Sequence, residues 1–231
     1  MNKIQTLAST FLLGAPLAMP AFAGDSVPAN ELRLGAYIVN YDVQASDISG
    51  PFVPSGVNLD VKDVTTPYFA YVRRVSPHFL LELAAGVPPK TETIGKGPAT
   101  LGTVPFNGQV LSTAKWFAPT VLAIYVFGNE DATLRPYLGA GINHTKFYDL
   151  QSTAAGDAAN GGPTAISLST STGAAFTAGL RWRIADRWAA YASYDYSHVA
   201  SVYSGNTAGF VRTTHISFNP YTVVVSVGYS F

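Results

Sequence analysis

A histidine flanked by serines gives this chain its one segment with the chemistry of a nucleophile and a base: Tyr196-Ser197-His198-Val199-Ala200-Ser201. A serine attacks a carbonyl when an imidazole within hydrogen-bond reach takes its proton and a third group orients the ring. The spacing here works against that. His198 and Ser201 are three apart and point to opposite faces of a regular strand, and the adjacent Ser197 and His198 diverge as well. A bulge would be needed to bring them together, and no third group is evident. Metal ligation is no better served, because His78, His144, His198 and His215 are scattered over four segments without ligand spacing. Cysteine is absent, which removes disulfide and thiolate chemistry. No catalytic, cofactor-binding or metal site is therefore expected, and the remaining chemistry lies in charges spread along alternating segments: Glu82, Arg135, Arg181, Arg183 and Asp195.

The segments that must position these charges are strands. In residues 221–231, Tyr221, Val223, Val225, Val227, Tyr229 and Phe231 alternate with Thr222, Val224, Ser226, Gly228 and Ser230. Successive side chains of a strand point to opposite faces, so one face is wholly apolar with aromatic ends and the other holds mostly small residues. A strand with lipid outside and a crowded interior has this pattern. Residues 174–184 repeat it, with Ala174, Phe176, Ala178, Leu180, Trp182 and Ile184 against Ala175, Thr177, Gly179, Arg181 and Arg183. Trp188, Ala190, Ala192, Tyr194 and Tyr196 follow, with aromatic residues where interfacial girdles belong.

Composition agrees. Charged residues make up 12% of the chain, against roughly a quarter in soluble domains, too few to coat a soluble protein. Yet beyond residue 23 the best apolar run is 121–127, far short of the ~20 residues of a spanning helix. Low charge without such helices points to a barrel, which alone among sheets satisfies its backbone inside lipid. A formal net charge of +0 without a basic patch argues against nucleic acid as a partner. At the start, Met1-Asn2-Lys3, an interrupted apolar stretch and Ala21-Phe22-Ala23 before Gly24 read as a secretory signal peptide over 1–23. Residues 24–231 then form one barrel domain.

Eight alternating segments emerge, near 31–44, 58–74, 78–88, 114–127, 134–148, 173–184, 188–202 and 216–231. Connections after the second, fourth and sixth are short, whereas those after the first, third, fifth and seventh are long and rich in small and polar residues, as in Gly156-Asp157-Ala158-Ala159-Asn160-Gly161-Gly162-Pro163. This alternation predicts an all-β fold: an eight-stranded antiparallel transmembrane β-barrel with short periplasmic turns and long extracellular loops, in a bacterial outer membrane. Strand one is less regular: its apolar phase slips after Tyr37, either through a bulge or only in the residue pattern, without a break in the strand.

Residues 135–148, RPYLGAGINHTKFY, resemble the fifth-strand signature of the outer membrane protein W (OmpW) family, and residues 218–231, FNPYTVVVSVGYSF, its carboxyl end. Pro119-Thr120 and Glu82-Leu83-Ala84-Ala85 fall in the expected order, so the resemblance covers essentially the mature chain. His144 departs from the family's usual Tyr, and loops 90–112 and 150–172 match little. The resemblance implies a barrel that helps small hydrophobic molecules cross the outer membrane, in a group that includes alkane-import porins of the AlkL type. It also implies the barrel-assembly machinery as a partner, with Val227, Tyr229 and Phe231 as the carboxyl-terminal assembly signal. Outer-membrane lipid and hydrophobic solutes are the other expected partners. A structural or receptor barrel without transport, or a lipid-hydrolysing barrel, is the alternative, because a fold does not fix a function.

An eight-stranded interior is just wide enough to be filled by side chains, so a straight water-filled pore is not expected. Glu82, Arg135, Arg181 and Arg183, with Asp195 further up, are expected inside, either as an ionic plug or as packing. Strand four is apolar on both faces, and Trp116, Leu122, Ile124 and Val126 either line a greasy channel or fill the core. Pro88 and Pro89 at the end of strand three and Pro119 in strand four remove ladder donors from neighbouring strands. They form a weak lateral seam, or they only end strands.

Overall fold

Side-chain alternation decides which face of each strand meets lipid, and closure of the sheet then decides what meets inside. The computed structural model describes residues 28–231; the signal peptide expected at 1–23 lies outside the described residues. Eight antiparallel strands, β1 (Asn30–Tyr41), β2 (Val64–Arg74), β3 (Phe79–Gly86), β4 (Thr120–Val126), β5 (Leu134–Ser152), β6 (Ser171–Arg183), β7 (Trp188–Ser197) and β8 (Pro220–Ser230), pair in chain order. β8 returns to β1 over a register running from Glu31↔Ser230 to Tyr41↔Pro220. That closure leaves no free edge and removes the row of unpaired backbone groups that an open sheet would expose. The links after β2, β4 and β6 emerge at one end and are short, and the long links emerge at the other.

The outer face is apolar throughout: Leu34 is 69% exposed, Ile142 60%, and Leu138 and Val225 53% each. Such a continuous belt is a liability in water and an asset in a bilayer. Aromatic clusters mark the short-turn end, where Tyr125 lies against Phe79 and Phe127 at centroid distances of 5.1 Å and 4.8 Å. Trp188 and Tyr229 meet there at 4.9 Å.

Four of the eight predicted strands divide near the long-loop end. Segment 58–74 separates into Asn58–Val61 and β2, 114–127 into Val110–Phe117 and β4, 188–202 into β7 and Ala200–Thr207, and 216–231 into Phe210–Ser217 and β8. Across each break the chain keeps a barrel neighbour, and the continuations pair in the same order as the strands below them. Below it the strand pairs in barrel order, and above it the continuation joins one of two smaller sheets. One of these contains Asn58–Val61, Lys90–Lys96, Val110–Phe117 and the upper part of β5. The other contains Thr164–Leu168, Ala200–Thr207, Phe210–Ser217 and Gln44–Ala45. The polar, small-residue stretches at 90–112 and 150–172 are thus ordered strands plus one short helix, α1 (Ala154–Asn160), capped by Thr153 and ended by Gly161 at φ 82°. The two sheets share an apolar core that includes Val57, Leu59, Leu111, Val199, Ile216 and Phe218.

The slip in strand one is corrected by the register. β1 pairs without a bulge with β8 and with β2, and Glu31, Arg33, Tyr37, Val39 and Tyr41 all face inward. What changes near Tyr37 is the lining, which passes from charged to apolar. That transition divides the interior into two functional levels.

Candidate functional site

Near the short-turn end the interior is closed by a buried ionic layer. Arg33 of β1, 3% exposed, donates to Glu31 and to Glu82 of β3, each at 2.6 Å. Its guanidinium also lies over the Tyr191 ring, 3.7 Å from the centroid. The remaining carboxylate capacity is met by hydroxyls: Tyr68 donates to Glu82 at 3.0 Å, and Tyr191 and Ser230 donate to Glu31 at 2.7 Å and 3.1 Å. Arg181 donates to the Tyr191 hydroxyl at 3.1 Å. Charges held this tightly in a low-dielectric interior, with their remaining hydrogen-bonding capacity met, fix one another in place.

Glu31 and Arg33, the centre of this layer, are not among the interior charges expected from the sequence. Their signal was present: opposite charges two apart occupy one face of a strand. Two other residues expected in the plug are elsewhere engaged. Arg135 is buried, but its guanidinium donates to the backbone carbonyls of Pro77, Val126, Phe127 and Gly128, bracing two turns. Arg183 donates to the Asp131 carbonyl at the rim. The turns expose carbonyl oxygens close to these side chains, and a five-donor guanidinium satisfies them more readily than it crosses the barrel.

Around the ionic layer the interior is packed by Leu122, Ile124, Val126, Tyr137, Ala175, Ala189 and Tyr191, and on its loop side lies a cavity of about 80 Å³. Its wall includes Tyr37, Val39, Trp116, Leu122, Phe147 and Phe218. Of the four residues expected along an apolar channel, Trp116 and Leu122 border this cavity. Ile124 is 1% exposed and belongs to the packed level, and Val126 reaches the polar vestibule of about 190 Å³ at the short-turn end. The apolar inner face of β4 thus serves as lining at its top and as core below. Past the cavity, among the loop-end strands, burial pushes the Tyr203 phenol up to about 12.

The wall beside the cavity is interrupted. Between β3 and β4 the last backbone pair is Ala84↔Thr120, and the next across the same boundary is Lys90↔Lys115. Residues 85–89, with Pro88 and Pro89, therefore face 116–119, with Pro119, without a backbone pair between them. Both flanks stay anchored on their far sides. The Val87 N–H donates to the Pro67 carbonyl at 2.9 Å, and the His144 N–H to the Pro119 carbonyl at 3.0 Å. The Ala118 carbonyl, lacking a partner on β3, accepts from Asn143 Nδ2 and Thr120 Oγ1, both at 3.3 Å. Trp116, Ala118 and Thr120 belong both to this break and to the cavity wall.

The serines of the possible nucleophile segment have other partners. Ser197 borders the cavity, Ser201 Oγ donates to the Ser169 carbonyl at 2.7 Å, and His198 points outward with Val199 inward. Alternation is regular through this stretch, so neither serine hydroxyl bonds to His198. At the carboxyl end, Val227 and Tyr229 lie on the outer face, and Phe231 exchanges backbone hydrogen bonds with Asn30 at 2.8 Å and 3.1 Å while its ring is 49% exposed.

Residues 31–231 match the model of the OmpW family. Outer membrane protein W of Vibrio cholerae is 26% identical over 232 residues, covering 98% of this chain and 99% of the relative. Outer membrane protein AlkL of Ectopseudomonas oleovorans is 22% identical over 236 residues, covering 97% and 94%. The crystal structure of the outer membrane protein OprG from Pseudomonas aeruginosa superposes with a TM-score of 0.78 at 21% identity, covering 89% of this chain and 96% of that one.

Proposed function

The chain belongs to the OmpW family of outer-membrane barrels, and on that premise we propose that it conducts small hydrophobic molecules across the outer membrane by lateral release. The barrel stands in the outer membrane of a Gram-negative bacterium with its short turns in the periplasm and its long loops outside. A solute enters through the loop end, rests in the cavity against Trp116 and Leu122, and leaves sideways between β3 and β4 into the bilayer. One observation carries this reading: the cavity is shut below by the Arg33 layer and adjoins an unpaired stretch of wall. A hydrocarbon loses about 25 cal/mol of free energy for each Å² removed from water, and the lipid beyond the seam offers the same gain.

The decisive assay compares uptake of a labelled medium-chain alkane with that of a small polar solute in intact cells with and without the protein, at equal outer-membrane amounts. Faster uptake of the alkane alone is expected. The double variant Pro89→Val/Pro119→Val supplies two backbone donors that allow β3 and β4 to pair, and it is expected to slow alkane uptake toward the rate without the protein while the barrel stays folded. Uptake unchanged in that variant rules out the seam formed by Pro88, Pro89 and Pro119 as the exit.

Biogenesis forms part of the same proposal. Residues 1–23 direct export, and Val227, Tyr229 and Phe231 present an apolar face to the barrel-assembly machinery. Deletion of Phe231 is expected to lower the fraction of heat-modifiable, folded barrel in outer-membrane preparations. Full assembly of the truncated chain would remove that role.

A further inference from the structure

The apolar cavity contains a chemical exception. Among the described residues lining it, Asp195 of β7 is the one that carries a charge. Thr177 Oγ1 donates to Asp195 Oδ1 at 2.6 Å, and no Lys, Arg or His of the described residues forms an ion pair with it. The nearest cationic groups that face the interior are committed below, Arg33 to Glu31 and Glu82 and Arg181 to Tyr191. The same wall holds Val39, Leu122 and Phe218 together with uncharged polar groups such as Asn143 and Thr222, and the Trp116 indole N–H is buried without a hydrogen bond.

A carboxylate in such a wall keeps its charge by holding water or a cation. A plain hydrocarbon filling the cavity strips that water and returns nothing. A protonated amine replaces it with a charge-assisted hydrogen bond while its apolar body covers the same wall. We propose that Asp195 makes the cavity selective for lipophilic amines, molecules with an apolar body and a protonated amino end, over uncharged molecules of the same length. The inference rests on the conduit reading in taking the cavity to be open to solutes, and it names the class of solute the cavity prefers.

The test uses the full mature barrel in phosphatidylcholine nanodiscs, titrated with octylamine and with 1-octanol at neutral pH and followed by tryptophan fluorescence. Half-saturation by octylamine is expected at a concentration about tenfold or more below that for 1-octanol, the ratio appropriate to one hydrogen bond to a charged group. Asp195→Asn, which keeps the partner for Thr177, removes that ratio, and Asp195→Glu restores it. Both variants are first shown to retain the heat-modifiable gel shift of the folded barrel. Equal half-saturation for the two probes, a ratio that survives in Asp195→Asn, or binding of neither probe overturns the proposal. Alkane uptake by cells carrying the unmodified protein separates the two claims. Alkane uptake without amine preference leaves the conduit standing and removes the selectivity, whereas Asp195-dependent amine binding without alkane uptake does the reverse.

Discussion

Arg33→Met is expected to destabilise the barrel by about 3–5 kcal/mol, the usual cost of deleting one partner from a buried ion pair. The arginine is held by both Glu31 and Glu82 at 2.6 Å, and its side chain is 3% exposed. Removing it leaves two carboxylates facing one another in a closed interior, stabilised only by hydroxyls from Tyr68, Tyr191 and Ser230. The cation–π contact with Tyr191 is lost as well. The measurement is the temperature at which the purified barrel loses its compact gel mobility, read alongside circular dichroism. The triple variant Glu31→Gln/Arg33→Met/Glu82→Gln is expected to recover most of the loss, because replacing a whole buried ionic cluster by neutral groups is often close to neutral. A melting temperature unmoved by Arg33→Met would show that the ionic layer contributes nothing to stability.

Ala118→Trp is expected to reduce alkane uptake to the level of cells without the protein. Ala118 borders the cavity and belongs to the unpaired stretch between β3 and β4, so a large ring there occupies the resting place and the exit together. Its backbone lies outside the barrel ladder, between Phe117 and Thr120, and overpacking a filled interior typically costs about 1–3 kcal/mol. Uptake by Ala118→Trp and thermal stability are measured on the same preparations. Wild-type uptake in a folded variant would place the path elsewhere, whereas blocked uptake with unchanged melting ties conduction to this wall.

The carboxyl-terminal pattern, the scarcity of charge and the alternation of short and long links were sufficient by themselves to specify a lipid-embedded barrel of eight antiparallel strands, with Leu180, Trp182 and Val225 outside and Thr177 and Arg181 inside. These are local properties. A period of two assigns a side chain to a face whatever the neighbouring strand is, and link length follows from which end of the barrel the chain leaves.

Tertiary structure alone decided what meets inside. Arg33 reaches Glu82 across 49 positions of sequence, through the stagger between β1, β2 and β3, and nothing in either segment specifies that stagger. The same holds for Arg135, which turned to the carbonyls of two turns, and for Ile124, which packs beneath the cavity that Leu122 borders. Above the membrane the ladder opens between β1 and β2 and between β5 and β6, so the continuations of β2, β4, β7 and β8 fall into two groups that no periodicity in the chain distinguishes from the barrel itself. The physical reason is that sidedness depends on each strand alone, whereas register, stagger and the height of a cavity depend on all eight closing together.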